Sequence, residues 1–306
     1  MTPDQWIALF AAIVGGALRV GAPFLFVSLG ECLTEKSGRI NLGLEGVLVL
    51  SAMASFGGAY LTGSVWLGVL IGCAAGAVLA LLHGVLCSLR GVNDVATGIA
   101  LMLLGTGLAF YFGKSLMQPQ APQLPALPLG DWSDNAVVRS ALQVNVLVPL
   151  GMLLAVAMHW GFGNTRGGLL VRLAGDSANA TRALGYSVPG IRIAATTAGG
   201  AIAGLGGACL TLFYPGSWNE GISSGQGLIA VALVIFARWS PLRCVGAALL
   251  FGGAGAIGPA LQSIGIGWGY HLFGTVPYLL TLVILVISCR PGSVTPGTPG
   301  ELSSTR

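Results

Sequence analysis

About nine apolar runs of spanning length follow one another through this chain with almost no charge inside them, and that succession leaves few folds open. A hydrocarbon layer about 30 Å thick is crossed by about 20 apolar residues of helix. On that ruler the runs lie at 6–29, 40–62, 64–89, 95–113, 142–162, 191–214, 223–239, 241–262 and 274–289. Composition points the same way: 54% of the residues are hydrophobic and only 8% charged, against roughly 25% charged in soluble domains. The 49 glycines suit helices whose backbones pack closely in lipid, whereas a soluble helix loses about 1 kcal/mol per glycine. The expected fold is therefore an all-α integral membrane protein, a polytopic bundle of about 8–10 transmembrane helices, some of them broken.

Orientation follows from the basic residues. Arg166, Arg172, Arg182 and Arg192 crowd the 163–190 connection, and Lys and Arg are retained on the cytoplasmic side during insertion. With that connection inside, alternation also places Lys36, Arg39, Arg90, Arg238, Arg243, Arg290 and Arg306 inside. Lys114 and Arg139 then lie outside, Arg19 falls within the first run, and the N-terminus is external. The net charge of +4 thus reports topology and not a nucleic-acid surface. The external 114–141 connection, with prolines at 119, 122, 125 and 128, reads as a semi-rigid extended loop. One transmembrane domain covers 1–290, and 291–306, rich in Pro, Gly, Ser and Thr, reads as a disordered tail. No basic n-region or A-x-A site marks a cleaved signal peptide, so none is expected, and neither is an attached soluble catalytic domain.

Two polar stretches interrupt the apolar pattern. Ala174 to Val188 reads as one short capped helix over 176–185: Asp176 or Ser177 can accept from first-turn N–H groups, and Gly185 supplies a left-handed stop. Held between two spans on the basic side, it suits docking against a soluble partner. The second stretch, Gly30 to Gly46, sets Glu31, Glu35, Lys36, Arg39 and Glu45 against two spans, with glycines at 38, 43 and 46 that could break a helix. A carboxylate such as Glu45 costs several kcal/mol in hydrocarbon unless it faces protein or water. It therefore lines an interior path or pairs with Arg39 at the interface. Asn93-Asp94 heads the fourth run, where Asp94 could instead cap a helix, and Asn219-Glu220 precedes the seventh as a pore rim or a solvated loop.

Other signals carry no chemistry. Cys32, Cys73, Cys87, Cys209, Cys244 and Cys289 lack C-x-x-C spacing and read as small apolar residues. His83, His159 and His271 are far apart in sequence, so no metal site is expected. Gly107 to Gly113-Lys114-Ser115 resembles a phosphate loop, but it has one residue too many and follows no strand. Gly72-x-x-x-Gly76 and Gly200-x-x-x-Gly204 fit internal helix crossings.

Three ordered blocks resemble the membrane-spanning permease subunits of ABC importers for nucleosides and simple sugars. Glu35-Lys36-Ser37-Gly38-Arg39-Ile40-Asn41-Leu42-Gly43-Leu44-Glu45-Gly46 is similar to that family's E-R-S-G-x-x-N-I-G-I-E-G-M. Ala174-Gly175-Asp176-Ser177-Ala178-Asn179-Ala180 with Gly185-Tyr186-Ser187-Val188 is similar to its cytoplasmic A-x-G-x-N-P-x-A-A and G-I-x-V. The stretch from Gly225-Gln226-Gly227 to Trp239-Ser240-Pro241 resembles its G-x-G-F-I-A-L-A-A-V-I-F-G-x-W-x-P. Departures lie at Asp176-Ser177, where the family has N-P, and at Thr181-Arg182. The first and third blocks look most like the nucleoside branch.

The resemblance implies a type II importer in the bacterial cytoplasmic (inner) membrane: two permease subunits, identical or homologous, two ABC ATPase subunits, and an extracytoplasmic substrate-binding protein or lipoprotein. This chain would bind no cofactor, no nucleic acid and no metal. ATP and Mg would sit on the partner ATPase. The resemblance makes Gly175, Asp176, Ser177, Ala178, Asn179, Ala180, Arg182 and Gly185 the ATPase coupling residues, and Asn41, Glu45, Asn93, Asp94 and Gln226 candidates for the translocation pathway. No catalytic residue is expected. An ion-gradient-driven secondary transporter of a small polar solute is the alternative, but it would need inverted halves with matching broken segments, and none is visible. An intramembrane enzyme would need convergent catalytic groups, and neither a G-x-S-x-G elbow nor paired intramembrane aspartates occur.

Overall fold

The described residues are mostly helix, as lipid offers no hydrogen-bond partner to the backbone of spanning segments. The computed structural model describes residues 3–117, 119–135, 138–139, 142–213, 215–263, 275–288 and 297–304. Among these, α1 (Pro3–Lys36), α2 (Leu44–Thr62), α3 (Val65–Leu86), α4 (Asp94–Gly113), α5 (Leu147–Asn164), α8 (Val188–Leu212) and α10 (Pro241–Ser263) contain the 7 helices long and apolar enough to cross a membrane. Two shorter apolar helices, α9 (Gln226–Phe236) and α11 (Val276–Ser288), complete the bundle. The links α6 (Arg166–Asp176), α7 (Ala178–Ala183) and α12 (Gly300–Ser304) lie at its basic end. Each of the nine apolar runs thus holds a helix. His271, Cys289, Arg290 and Arg306 lie outside the described residues.

Glycine decides how the helices meet. Helix α8 lies at the centre, against α1, α2 and α3, and its glycines let neighbouring backbones touch. Gly199 faces Gly30 of α1, Gly207 faces Ser51 and Ala52 of α2, and Gly200 and Gly204 face Gly76 and Gly72 of α3. The two small-residue motifs therefore pack against each other within the subunit. Helix α10 uses Gly252 in the same way against Ala17 and Gly21 of α1. Large apolar side chains of α3, α4 and α5, among them Leu70, Leu103, Phe112 and Leu153, point outward, as lipid-facing positions should.

A Cβ at position 204 would lie 2.7 Å from the Gly72 carbonyl oxygen and 2.8 Å from Cys73 Cα, both backbone atoms that cannot step aside. Gly204→Val should lower the unfolding temperature of the detergent-solubilised protein by several degrees, because overpacking costs about 1–3 kcal/mol. Gly107→Val, in α4 with nothing within 4 Å of its Cβ, should leave it unchanged. Equal midpoints for the two variants would mean that the α3/α8 crossing is not held by close backbone approach.

Several boundaries differ from those expected. Helix α1 continues through Glu31, Glu35 and Lys36 and stops only at Gly38, whose φ of +85° ends it. The 223–239 run holds a helix of only 11 residues, about 16 Å long, half of what a span requires. The 114–141 connection is more ordered than a semi-rigid loop, since Ala126–Pro128 pairs antiparallel with Gln143–Asn145. Leu124 N–H donates to the Leu212 carbonyl at 2.7 Å, which ties this hairpin to the end of α8 away from the arginines. Residues 297–304, expected to be disordered, include the helical turn α12, held by contacts that composition does not record.

Candidate translocation path and coupling segment

The connection between α1 and α2 does not stay at the membrane surface. Arg39 pairs with Asp94, the first residue of α4, at 2.7 Å. Two residues on, the Asn41 N–H donates to Glu31 Oε1 at 2.9 Å, one turn above Glu35 on α1. Gly43 then lies against Gly98 and Gly46 against Met102 of α4. From Asp94 to Met102 is eight residues of α4, so at 1.5 Å per residue Gly46, next to Glu45, lies about 12 Å deeper along α4 than the Arg39–Asp94 pair. Helix α2 consequently starts within the membrane, and Asn41 Oδ1 takes the Gly43 N–H at 2.9 Å in the turn just before it.

Helix α9 starts at that depth too. The chain leaves α8 at the far end, passes the buried Trp218, turns at Gly221 and Gly225 with φ of +84° and +75°, and re-enters. Its first N–H groups would be orphaned in the membrane interior. Glu45 receives them: Oε1 accepts from the Ser223 hydroxyl at 2.5 Å and from Gly225 N–H at 3.1 Å, and Oε2 from Gly227 N–H at 2.7 Å. The negative carboxylate at the positive end of α9 is favourable on both dipole and hydrogen-bond grounds. Gly227 is required there because any Cβ would run into Glu45. The adjacent Gln226 keeps one oxygen, Oε1, shielded and without a hydrogen-bond partner.

At the other end of α9 the chain turns sharply. Arg238 and Trp239 both have positive φ, 51° and 52°, a conformation costing about 1–2 kcal/mol per residue for an L-amino acid. The Trp239 indole N–H, buried with its ring, donates to Glu35 Oε2 and holds the turn against α1. The first and third sequence blocks are therefore bonded to each other twice, through Glu45 and through Glu35.

The expected pathway residues divide accordingly. Glu45 and Gln226 meet at the head of α9, and Asn41 lies four residues before Glu45. Asn93 and Asp94 lie apart, at the basic end, where Asn93 Oδ1 caps α4 by accepting from Val95 and Ala96 N–H at 2.9 and 3.1 Å. Asp94 is not the cap, and Glu45 does not pair with Arg39: Asp94 takes the guanidinium, which Ser88 also approaches at 3.3 Å. Asn219 and Glu220 are exposed at the far end. Glu31, Glu35, Ser223 and Trp239 are not among the expected pathway residues, although Glu31 and Glu35 at i and i+4 share one helix face.

The 163–190 connection holds two helices, of which the second, α7, is the short capped helix expected over 176–185. Thr165 caps α6 by accepting from Gly168 N–H at 3.0 Å. Asp176 closes that helix, and Ser177 caps α7 by accepting from Ala180 N–H at 3.2 Å. Ala178 is buried, whereas Asn179, Ala180 and Arg182 face outward, with Arg182 Nη1 donating to Asn179 Oδ1 at 3.0 Å. Gly185, at φ +83°, reverses the chain. Gly175 is buried against the Lys36 carbonyl and Gly38, so the end of α1 rests directly on this segment.

An all-α, multi-pass protein of the cytoplasmic (inner) membrane, with helices broken at membrane depth and a helical segment projecting from its basic end, has the architecture of a transport permease. The chain belongs to the family described as branched-chain amino acid transport system, permease component, whose model matches residues 7–288. It is 31% identical to a protein of Haloferax volcanii named "Putative glucose ABC transporter permease protein", over 95% of this chain and 96% of that one. It is 28% identical to the guanosine ABC transporter permease protein NupQ of Bacillus subtilis, over 91% and 92% of the two chains. With the nucleoside ABC transporter permease protein NupC of Lactococcus lactis it shares 26% identity over 90% and 91%. The chain is a permease subunit of ABC importer type.

Proposed function

We propose that this permease carries a nucleoside inward across the cytoplasmic membrane, a purine nucleoside before others, driven by ATP and Mg on separate ATPase subunits. Two of the three relatives named above, each aligned over 90% or more of this chain, bear nucleoside or guanosine in their names, and this supports the substrate. The Haloferax relative favours a second reading, a simple sugar such as glucose. A second permease subunit and an extracytoplasmic binding protein complete the assembly. The segment Gly175 to Gly185 serves as the ATPase contact, and the Glu45–Gln226 junction borders the solute route.

Reconstitution of the full importer in proteoliposomes tests this reading. Labelled guanosine should accumulate only with ATP and the binding protein present, and unlabelled glucose should not compete. Glucose uptake without guanosine uptake would leave the transport class intact and replace the substrate. Uptake that ignores ATP and follows an ion gradient would replace the class. The purified chain alone should neither bind nor hydrolyse ATP, measured by equilibrium dialysis and phosphate release. Hydrolysis abolished by substitutions in this chain would overturn the division of labour.

A further inference from the structure

The most unusual contact in the molecule lies far from the solute route, where residues 297–304 meet the coupling segment. Glu301 is the centre of it. Its Oε1 accepts the Ala178 N–H, the first of α7, at 2.9 Å, and its Oε2 pairs with Arg192 Nη2 at 3.2 Å. Arg192, only 14% exposed, is already committed: Nε donates to the Ser37 carbonyl at 3.0 Å and Nη2 to the Ala174 carbonyl at 2.9 Å. One guanidinium therefore holds the turn after α1, the end of α6 and Glu301 at once.

Two glycines bring the rest of this segment into register. Gly300 lies against the Asp176 carbonyl group, too close for any Cβ, and Gly297, at φ +95°, lies against the Arg238 carbonyl, where a Cβ would approach to 2.9 Å. Residues 297–304 thus touch the end of α9 at Arg238, the junction of α6 and α7 at Asp176 and Ala178, and, through Arg192, the end of α1. Each of the three sequence blocks contributes one of those points.

We infer that residues 297–304 form a strap, with Glu301 as its positioning residue, that fixes α7 to the ends of α1 and α9 so that displacement of α7 moves those helices. This inference rests on the reading of 176–185 as the ATPase contact. The reason is mechanical. Helix α7 has six residues and is joined to α8 through an exposed turn at Leu184, Gly185 and Tyr186. So short a helix does not hold its own orientation. A carboxylate bonded at once to its first N–H and to Arg192 ties it to α8. Those are charge-assisted bonds, the strong kind. Without them a push on α7 is absorbed by the turn at Gly185.

The test uses the full importer in proteoliposomes, with ATP hydrolysis and uptake of labelled guanosine, or glucose if that is what the wild type carries, measured on the same sample. Glu301→Ala should leave co-purification of the ATPase and hydrolysis within about twofold of wild type and lower solute moved per ATP by at least about tenfold, since it removes both charge-assisted bonds and one alone carries about that factor. Glu301→Gln, which keeps one acceptor, should fall between the two. Deletion of 297–306 should match Glu301→Ala. Unchanged solute per ATP in Glu301→Ala overturns the strap, as does loss of ATPase co-purification, which would make the segment a docking element. Arg182→Glu, assayed alongside, separates the two levels. If it transports normally the coupling reading itself fails, whereas if it is inactive while Glu301→Ala is normal, only the strap fails.

Discussion

Arg182→Glu should reduce uptake by more than about 100-fold while leaving the protein inserted and folded. Arg182 is exposed on α7, where its guanidinium donates to Asn179 Oδ1, three residues away on the same helix. Reversing its charge removes nothing from the core. At a docked surface, however, placing a charge of the wrong sign costs several kcal/mol, and each 1.4 kcal/mol is a factor of ten. Gly185→Val reaches the same segment by another route. Nothing else in the described residues lies within 4 Å of a Cβ at that position, so the substitution clashes with no other part of the subunit. The backbone is what resists: φ is +83°, a left-handed conformation costing about 1–2 kcal/mol for an L-residue and more when it is β-branched. The turn formed by Gly185 N–H on the Arg182 carbonyl and Tyr186 N–H on the Thr181 carbonyl, at 2.9 and 3.2 Å, should open. Uptake should then fall roughly 5–30-fold. Uptake of guanosine and co-purification of the ATPase are the two measurements. Normal uptake in both variants would sink the coupling assignment, and lost uptake with retained ATPase would separate transmission from docking.

Glu45→Ala should nearly abolish uptake at normal expression, and Glu45→Gln should do so in part. The alanine leaves the Gly225 and Gly227 N–H groups without an acceptor at membrane depth, at about 1–3 kcal/mol each. It also frees the buried Ser223 hydroxyl. Helix α9, of 11 residues, is held at its head by that carboxylate and at its tail by the Trp239–Glu35 bond. Losing the first anchor frees the head of α9 to tilt and displaces Gln226 with it. Glutamine keeps one acceptor but turns an NH2 toward a donor, so one of the three bonds becomes a repulsion. Uptake by Glu45→Gln should fall about 10-fold, the consequence of one buried donor left unmet. Wild-type rates for Glu45→Gln would show that the charge at the head of α9 is dispensable. A loss in Glu45→Ala accompanied by poor expression would be resolved by Ser223→Ala, which removes one donor with its bond and should retain most uptake.

How much of this was legible in the residues depends on the range of the forces involved. The nine helices were legible, because partition into lipid is decided over about 20 consecutive residues. So were the turn at Gly185, a cap at Asp176 or Ser177 and the packing role of the two small-residue motifs, each set within a few positions. The resemblance of the three blocks pointed to the permease class. It did not tell what the blocks do to one another. That 223–239 holds a half-helix and not a span was invisible, since its apolar composition is that of a span and the acceptor for its first N–H groups stands about 180 residues earlier in the chain. Sequence left open whether Glu45 lines an interior path or pairs with Arg39, and it is Asp94, 55 residues from Arg39, that takes the guanidinium. The order of 297–304 ran against its Pro- and Gly-rich composition, because Arg192, 109 residues away, supplies the contact. Sequence by itself determined which segments enter the membrane, since that is a sum over neighbours. Only the tertiary structure decided which buried charge answers which backbone end, because a carboxylate or guanidinium inside lipid binds whatever donor or acceptor the packed glycine backbones bring within 3 Å, however distant in the chain.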